Sequence, residues 1–215
     1  MLRAYYQVTK FRENNKGQIR VTKRGRQRIS RSFVKGFLGL LYTNATNNSA
    51  TLNDISNAQN TQGNYAVNLS VNAGGGNGAM GLNATYGTVI GTGSYAQDLA
   101  NIGIVVGSGD NAVATTDYAL ETKIAEGTGE GTLEHFGHHT SIPTTTGSDA
   151  SFYIERIFRN SSGAAMTISE AGIYALGGSA TAARPYCIIR DVLDPVVSFD
   201  DAEYLKVKYT LKITV

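Results

Sequence analysis

The chain is predicted to be mainly β: a β-sandwich or jelly-roll domain with one or two short helices, preceded by a basic N-terminal β-hairpin and helix. Three observations carry that expectation. Apolar and polar residues alternate with the strand period over residues 151–159, 165–174 and 204–215. Clusters of Gly, Asn, Asp and Ser punctuate these runs, and Gly reaches 25 of 215 residues. One stretch near the N-terminus carries the best helical period in the chain. With 41% apolar residues there is material for a core, while the 17% charged fraction lies below the ~25% usual for soluble domains.

The elements follow in order. In RAYYQVTKF and QIRVTKRGRQRI cations alternate with Tyr, Val and Ile, as along two half-exposed strands joined through Glu13-Asn14-Asn15-Lys16-Gly17. The stretch SRSFVKGFLGLLYTN then places Phe33, Val34, Phe37, Leu38, Leu41 and Tyr42 at helical spacing, with Ser30 or Ser32 as cap. Gly36 and Gly39 each weaken that helix by about 1 kcal/mol, so it needs packing to persist. Residues 44–86 are poor in charge and rich in Asn and Gly, with one alternating segment, YAVNLSV, at 65–71 and a turn-forming GGGNG at 74–78.

Two related turns come next, VIGTGS at 89–94 and VVGSGD at 105–110. The second, continued to Ala112, fits the G-x-G-x-x-A pattern of a dinucleotide-binding turn. That chemistry needs a helix N-terminus immediately after the glycines, and the expected second helix starts only later, with Thr116 or Asp117 capping YALETKI. The repetition points to turn geometry, and no cofactor is expected. Further on, FYIERIFR, the turn NSSG and AMTISEAGIY read as a hairpin. CIIRDVL is a strand broken at Asp194-Pro195, and YLKVKYTLKITV closes the chain with Leu205, Val207, Tyr209, Leu211, Ile213 and Val215 on one face.

In the hairpin drawn over 152–174, Arg156 stands opposite Glu170, both in phase with the apolar residues. Charges there are tolerable only when paired, so an ion pair between Arg156 and Glu170 is expected to fix the register.

Charge divides the chain more sharply than the net +2 suggests. Residues 1–35 hold eleven Lys/Arg against one Glu, a balance of +10, and residues 36–215 hold eight against sixteen Asp/Glu, a balance of −8. Two domains are drawn accordingly: residues 1–43, a subunit-contact arm of hairpin and amphipathic helix, and residues 44–215, the β-sandwich body. A basic arm beside an acidic body suits contact between copies of one protein. Residues 20–31 also suit phosphate neutralisation, so nucleic acid stays open as the alternative partner. The candidate contact residues are Lys23, Arg24, Arg26, Arg28, Phe33 and Phe37.

Other chemistries find little. The lone Cys187 has no intramolecular disulfide partner, and no Cys/His spacing suits zinc. His135, His138 and His139 read as a loop with exposed imidazoles at the start of a strand rather than as metal ligands. Calcium-loop and nucleophile-elbow patterns are missing, so no catalytic residue is assigned and an enzyme is not expected. The N-terminus lacks the apolar core of a signal peptide, and no run approaches a membrane span.

The succession GIVVGSGD, TTDYALETKIAEG, FYIERIFRNSSGAAMTISEAGIYAL, CIIRDVLDPVVSF and KVKYTLKITV, with SRSFVKGFLGLLY before it, resembles a diffuse set of virion structural proteins of bacterial and archaeal viruses and prophages. The resemblance departs at Asp200-Asp-Ala-Glu, where a Gly-containing turn is expected. It implies a β-rich particle component, tail- or capsid-associated, made in a host cytoplasm and assembling with copies of itself and with other virion proteins. A filament subunit that polymerises outside the cell by strand addition is the alternative, and a receptor- or carbohydrate-binding virion module a third.

Overall fold

The computed structural model describes residues 1–30, 32–46, 50–56, 59–62, 101–177 and 184–215. In chain order its elements are β1 (Leu2–Glu13), β2 (Ile19–Arg24), β3 (Arg28–Ser30), α1 (Lys35–Thr46), β4 (Ala50–Asn53), β5 (Gln59–Gln62), β6 (Gly103–Gly107), β7 (Ala125–Glu126), β8 (Thr132–Thr140), β9 (Thr144–Thr146), β10 (Asp149–Arg159), β11 (Met166–Gly177), β12 (Arg184–Phe199) and β13 (Glu203–Thr214). The fold is mainly β. Two units divide it: Met1–Arg31, Ile124–Ile168 and Pro195–Val215 form the first, Ser32–Lys123 and Ser169–Asp194 the second. This division does not fall at residue 43, and the basic hairpin and α1 belong to different units.

The first unit is built on a sheet of order β2-β1-β13-β10-β8-β7, with β3 also on β1 and β9 also on β10. The first long strand thus lies against the last, from Leu2↔Ile213 to Arg12↔Glu203. Alternation explains how these strands bury one face: Ala4, Tyr6 and Val8, Ile154 and Phe158, and Leu205, Val207 and Tyr209 are all buried. Full burial of such side chains contributes about 1.5–3 kcal/mol each. The intervening residues carry charge, with Lys206 3.3 Å from Glu155, Lys212 2.5 Å from Asp149 and Lys208 3.6 Å from the centre of the Tyr153 ring.

The second unit holds a sheet of order β12-β11-β6 and the pair β4-β5. All of β6 is buried, as are residues 186–191 of β12. Strands covered on both sides read as unbroken apolar runs, which accounts for GIVVG and CII. Val34, Val105, Leu120, Tyr174 and Cys187 pack together there.

Four sequence expectations are corrected. Helix α1 starts at Lys35; Phe33 bridges Ile189, and the Ser32 hydroxyl donates to Asp191 at 2.7 Å instead of capping the helix. Over residues 35–42 the buried positions are Gly36 and Leu40, while Leu38, Leu41 and Tyr42 are exposed. The cause is Gly36, whose missing side chain lets the helix backbone approach the Cys187 carbonyl on β12. No helix forms at 117–124, because the N–H groups of Leu120, Glu121 and Thr122 donate to Tyr174 and Glu170 side chains rather than along a helix. The hairpin 152–174 does not form either: β10 pairs with β13, β8 and β9, and β11 joins β6 and β12. Lastly, β12 continues through Pro195, although the boundary between the units falls at that residue. The strand expected at 65–71, the turns at 74–78 and 89–94, and most of 44–86 lie outside the described residues.

Candidate interaction surface at the basic sheet edge

The hairpin β1–β2 forms because Asn14 makes its turn, its Oδ1 accepting from the N–H groups of Lys16 at 3.0 Å and Gln18 at 2.9 Å. Strand β2 then pairs with β1 from Glu13↔Ile19 to Thr9↔Arg24, with a register shift between Lys10 and Phe11. The Gly25 N–H bonds the Val8 carbonyl at 2.8 Å and returns the chain to β1 as β3, opposite Ala4, Tyr5 and Tyr6. Every residue of β2 is exposed, and β2 ends the sheet order.

The register sets like charges opposite each other, Lys10 to Lys23 and Arg12 to Arg20. Such pairs destabilise a hairpin by a few tenths of a kcal/mol. The β1 members are neutralised: Lys10 lies 2.8 Å from Glu203, and Arg12 lies 3.4 Å from Asp200 and 3.8 Å from Glu203. Arg20, Lys23, Arg24 and Arg26 make no ion pair among the described residues. Ile19 and Val21 stand exposed beside them. The arrangement leaves a strand edge with open backbone groups, cations and two apolar side chains, which can receive an acidic strand, an acidic surface or phosphates.

The other predicted site residues fall elsewhere. Lys23, Arg24, Arg26 and Arg28 share this edge, whereas Phe33 and Phe37 lie in the second unit, half-buried, with ring centres 4.5 Å apart. The expected Arg156–Glu170 ion pair is replaced by two separate arrangements. Arg156, on β10, donates through Nε to the Phe136 carbonyl at 2.9 Å; burial lowers its pKa to about 10, opposed by the charge of Glu126. Glu170, on β11, accepts from Arg190 Nε at 2.9 Å. Parting β10 and β11 into different sheets removed the register that paired them.

Glu170 also explains the Gly107-Ser108-Gly109 turn. Its Oε1 accepts from the N–H groups of Gly109 at 3.2 Å and Thr122 at 2.7 Å, and its Oε2 from Glu121 N–H at 3.1 Å. A Cβ at Gly107 would lie 2.5 Å from Glu170 Oε1, and one at Gly109 2.7 Å from it. The glycines make room for an anion, which Gly109 also bonds, and it is the protein's own carboxylate. Arg190 continues outward to Asp117 at 2.7 Å, Glu121 at 3.5 Å and the Asn111 carbonyl at 3.2 Å. Burial lowers the Arg190 pKa, but the hydrogen bonds and charges of Asp117 and Glu170 outweigh it, so the group stays above its ordinary value. This network ties residues 107–123 to β11 and β12. The signal in the sequence was an Arg-Asp pair interrupting the apolar run of β12.

The histidines sit on a strand, correcting the loop expectation. Phe158↔His135 and Arg156↔His138 flank a bulge that leaves Phe136 and Gly137 outward and turns both His135 and His138 inward, while His139 is exposed. No group of three or more metal-ligating side chains occurs among the described residues. Cys187 is a buried free thiol whose pKa burial pushes up, with Sγ–H 3.4 Å from the Ile189 carbonyl. No helix of the described residues is long and apolar enough to cross a membrane. In comparison with known proteins, the chain matches no family model, no curated protein and no solved structure.

Proposed function

We propose that this chain is a structural, self-assembling subunit of a virus particle, on the tail or capsid exterior, forming a homo-oligomer through its basic N-terminal edge. One observation carries the reading: β2 is exposed along its whole length and holds Arg20, Lys23 and Arg24 with no ion-pair partner among the described residues. Exposed charges contribute about 0–1 kcal/mol each to folding even when paired, so this set does little for the fold and is suited to a partner. The virion setting follows from the sequence resemblance. The sandwich or jelly-roll arrangement belongs to the same proposal, supported by a sheet whose β1, β10 and β13 bury one face and charge the other. A filament subunit growing by strand addition is the second reading, favoured by the same open edge.

Sedimentation of the purified protein tests the function. A species larger than the monomer is expected at low salt, weakened by reversing Lys23, Arg24, Arg26 and Arg28 to Glu while the thermal melt of the fold is kept. A monomer at every salt concentration overturns the self-assembly reading. Co-purified nucleic acid whose retention falls steeply with salt assigns residues 20–31 to phosphate instead. Negative-stain images of the assembly separate a closed particle component from an open filament.

A further inference from the structure

The sheet of the first unit ends in opposite charges. At the β2 end stand Arg20, Lys23, Arg24 and Arg26. At the far end, β7 covers only Thr132 and Leu133 of β8, so the outer side of residues 134–140 has no strand neighbour among the described residues. That end is acidic: Glu126 on β7 and Glu130 in the following turn are exposed, and Glu134 is part-exposed beside Arg159 at 3.6 Å. Phe136, Gly137 and His139 are exposed along the same edge.

Resting on the self-assembly reading, we propose that the occupant of the basic edge is the acidic β7–β8 edge of a second copy, so that copies join head to tail by continuing one sheet into the next. Three features favour this match. Both edges are broken, β2 with β3 along β1 and β8 with β9 along β10, and each leaves backbone N–H and C=O groups without a strand partner among the described residues, although the Phe136 carbonyl is taken by Arg156 Nε. The open lengths agree, residues 19–24 against 134–140. Each edge sets one or two exposed apolar side chains, Ile19 and Val21 or Phe136, among its charges, which gives the joint apolar area within an electrostatic frame. Because the two patches differ, the contact is heterologous: repetition closes a ring when the rotation permits and extends a filament when it does not.

The experiment uses the full chain and two variants. In one, Lys23→Glu and Arg24→Glu reverse the charge at two positions of the basic edge; in the other, Glu126→Gln neutralises and Glu130→Lys reverses a charge of the acidic edge. Each variant alone is expected to sediment as a monomer at ~50 mM salt where the natural chain associates, and a mixture is expected to co-sediment in equal proportion, because each supplies the charge the other lacks. In the natural chain the association constant should fall about tenfold or more on raising the salt to ~0.5 M. Glu130 sits between Gly129 and Gly131, where an added Cβ meets nothing within 4 Å. Glu130→Ala alone therefore serves as the acidic-edge variant should Glu126→Gln disturb Arg156.

An acidic-edge variant that assembles like the natural chain, or a mixture that stays monomeric, overturns the head-to-tail contact and leaves self-assembly standing. A natural chain that never associates overturns both. Association that a nuclease abolishes, and that ignores the acidic-edge substitutions, replaces the second copy with nucleic acid.

Discussion

Glu170 and Arg190 meet at 2.9 Å, Oε2 to Nε, with the carboxylate fully buried and the guanidinium nearly so. A pair this deep is worth little relative to apolar residues of the same size, but each member is costly to strand. Glu170→Met or Arg190→Met should each destabilise the protein by about 3–5 kcal/mol, whereas the double substitution Glu170→Met with Arg190→Met should cost well below their sum. Denaturant unfolding of the four proteins measures this. Single costs that are small and additive would refute the network.

Gly36 faces a different constraint. Helix propensity alone says that Gly36→Ala stabilises by about 1 kcal/mol. A Cβ there would be driven into the Cys187 carbonyl oxygen, a backbone atom that cannot swing aside. The substitution should therefore lower the melting temperature, by an overpacking cost of about 1–3 kcal/mol. Gly129→Ala, which meets nothing within 4 Å, is the control and should be neutral or better.

These two sites show how far the sequence could be read. Period-two alternation located β10 and β13 and the apolar face of each, because burial on one face writes itself into every second residue. It names no partners, since the same alternation suits any neighbouring strand, and sequence proximity alone sets Arg156 opposite Glu170. The helix was found but its buried side was mistaken: a face organised by a glycine's close approach carries no hydrophobic signal. The partner of the GSG turn is Glu170, whose Oε1 accepts from the Gly109 N–H, a contact across 61 positions that local text does not contain. The cations of residues 20–28 were legible as a group, and the structure added which of them have partners.

Acid should weaken the first unit through Glu203. Burial pushes this carboxyl up, but the Lys10 hydrogen bond, the Asp200 N–H and the charges of Lys10 and Arg12 outweigh it and hold the group below its ordinary value of 4.5. A pKa lowered on folding means that the unfolded chain binds the proton first, so the stabilisation is complete above pH ~4.5 and is lost as pH falls through the folded value. Asp149, held below 3.8 by its bonds from Lys212 and Thr214, acts in the same direction in a lower range. The melting temperature should fall below pH ~4.5 in the natural chain, and Glu203→Gln should start lower at pH 7 and decline less steeply. Parallel acid limbs in the two proteins would deny Glu203 this role.

The turn between β12 and β13 holds Ala202 at a φ of 61°, a left-handed conformation that an L-residue adopts at a cost of about 1–2 kcal/mol. The surroundings impose it. Ala202 N–H donates to the Asn160 carbonyl at 2.7 Å, and the Asn160 N–H to the Glu203 carbonyl at 3.0 Å, while Asp200 N–H donates to Glu203 Oε2 at 2.9 Å. Asp201 in turn accepts from Gly163 N–H at 2.9 Å, so the 160–164 turn grips both sides of the strained residue. The sequence resemblance implies a Gly-containing turn somewhere within Asp200-Asp-Ala-Glu, without fixing its position. Ala202→Gly removes the steric cost and adds about 0.4–1 kcal/mol of chain entropy to the unfolded state, leaving a net stabilisation of about 0.5–1 kcal/mol. Ala202→Val should move the other way, because a β-branched side chain suits a positive φ least of all. Unfolding midpoints of the three proteins, ranked Gly above Ala above Val, are the expected result; a glycine variant below the natural chain would mean that this turn does not hold residue 202 in the left-handed region in solution.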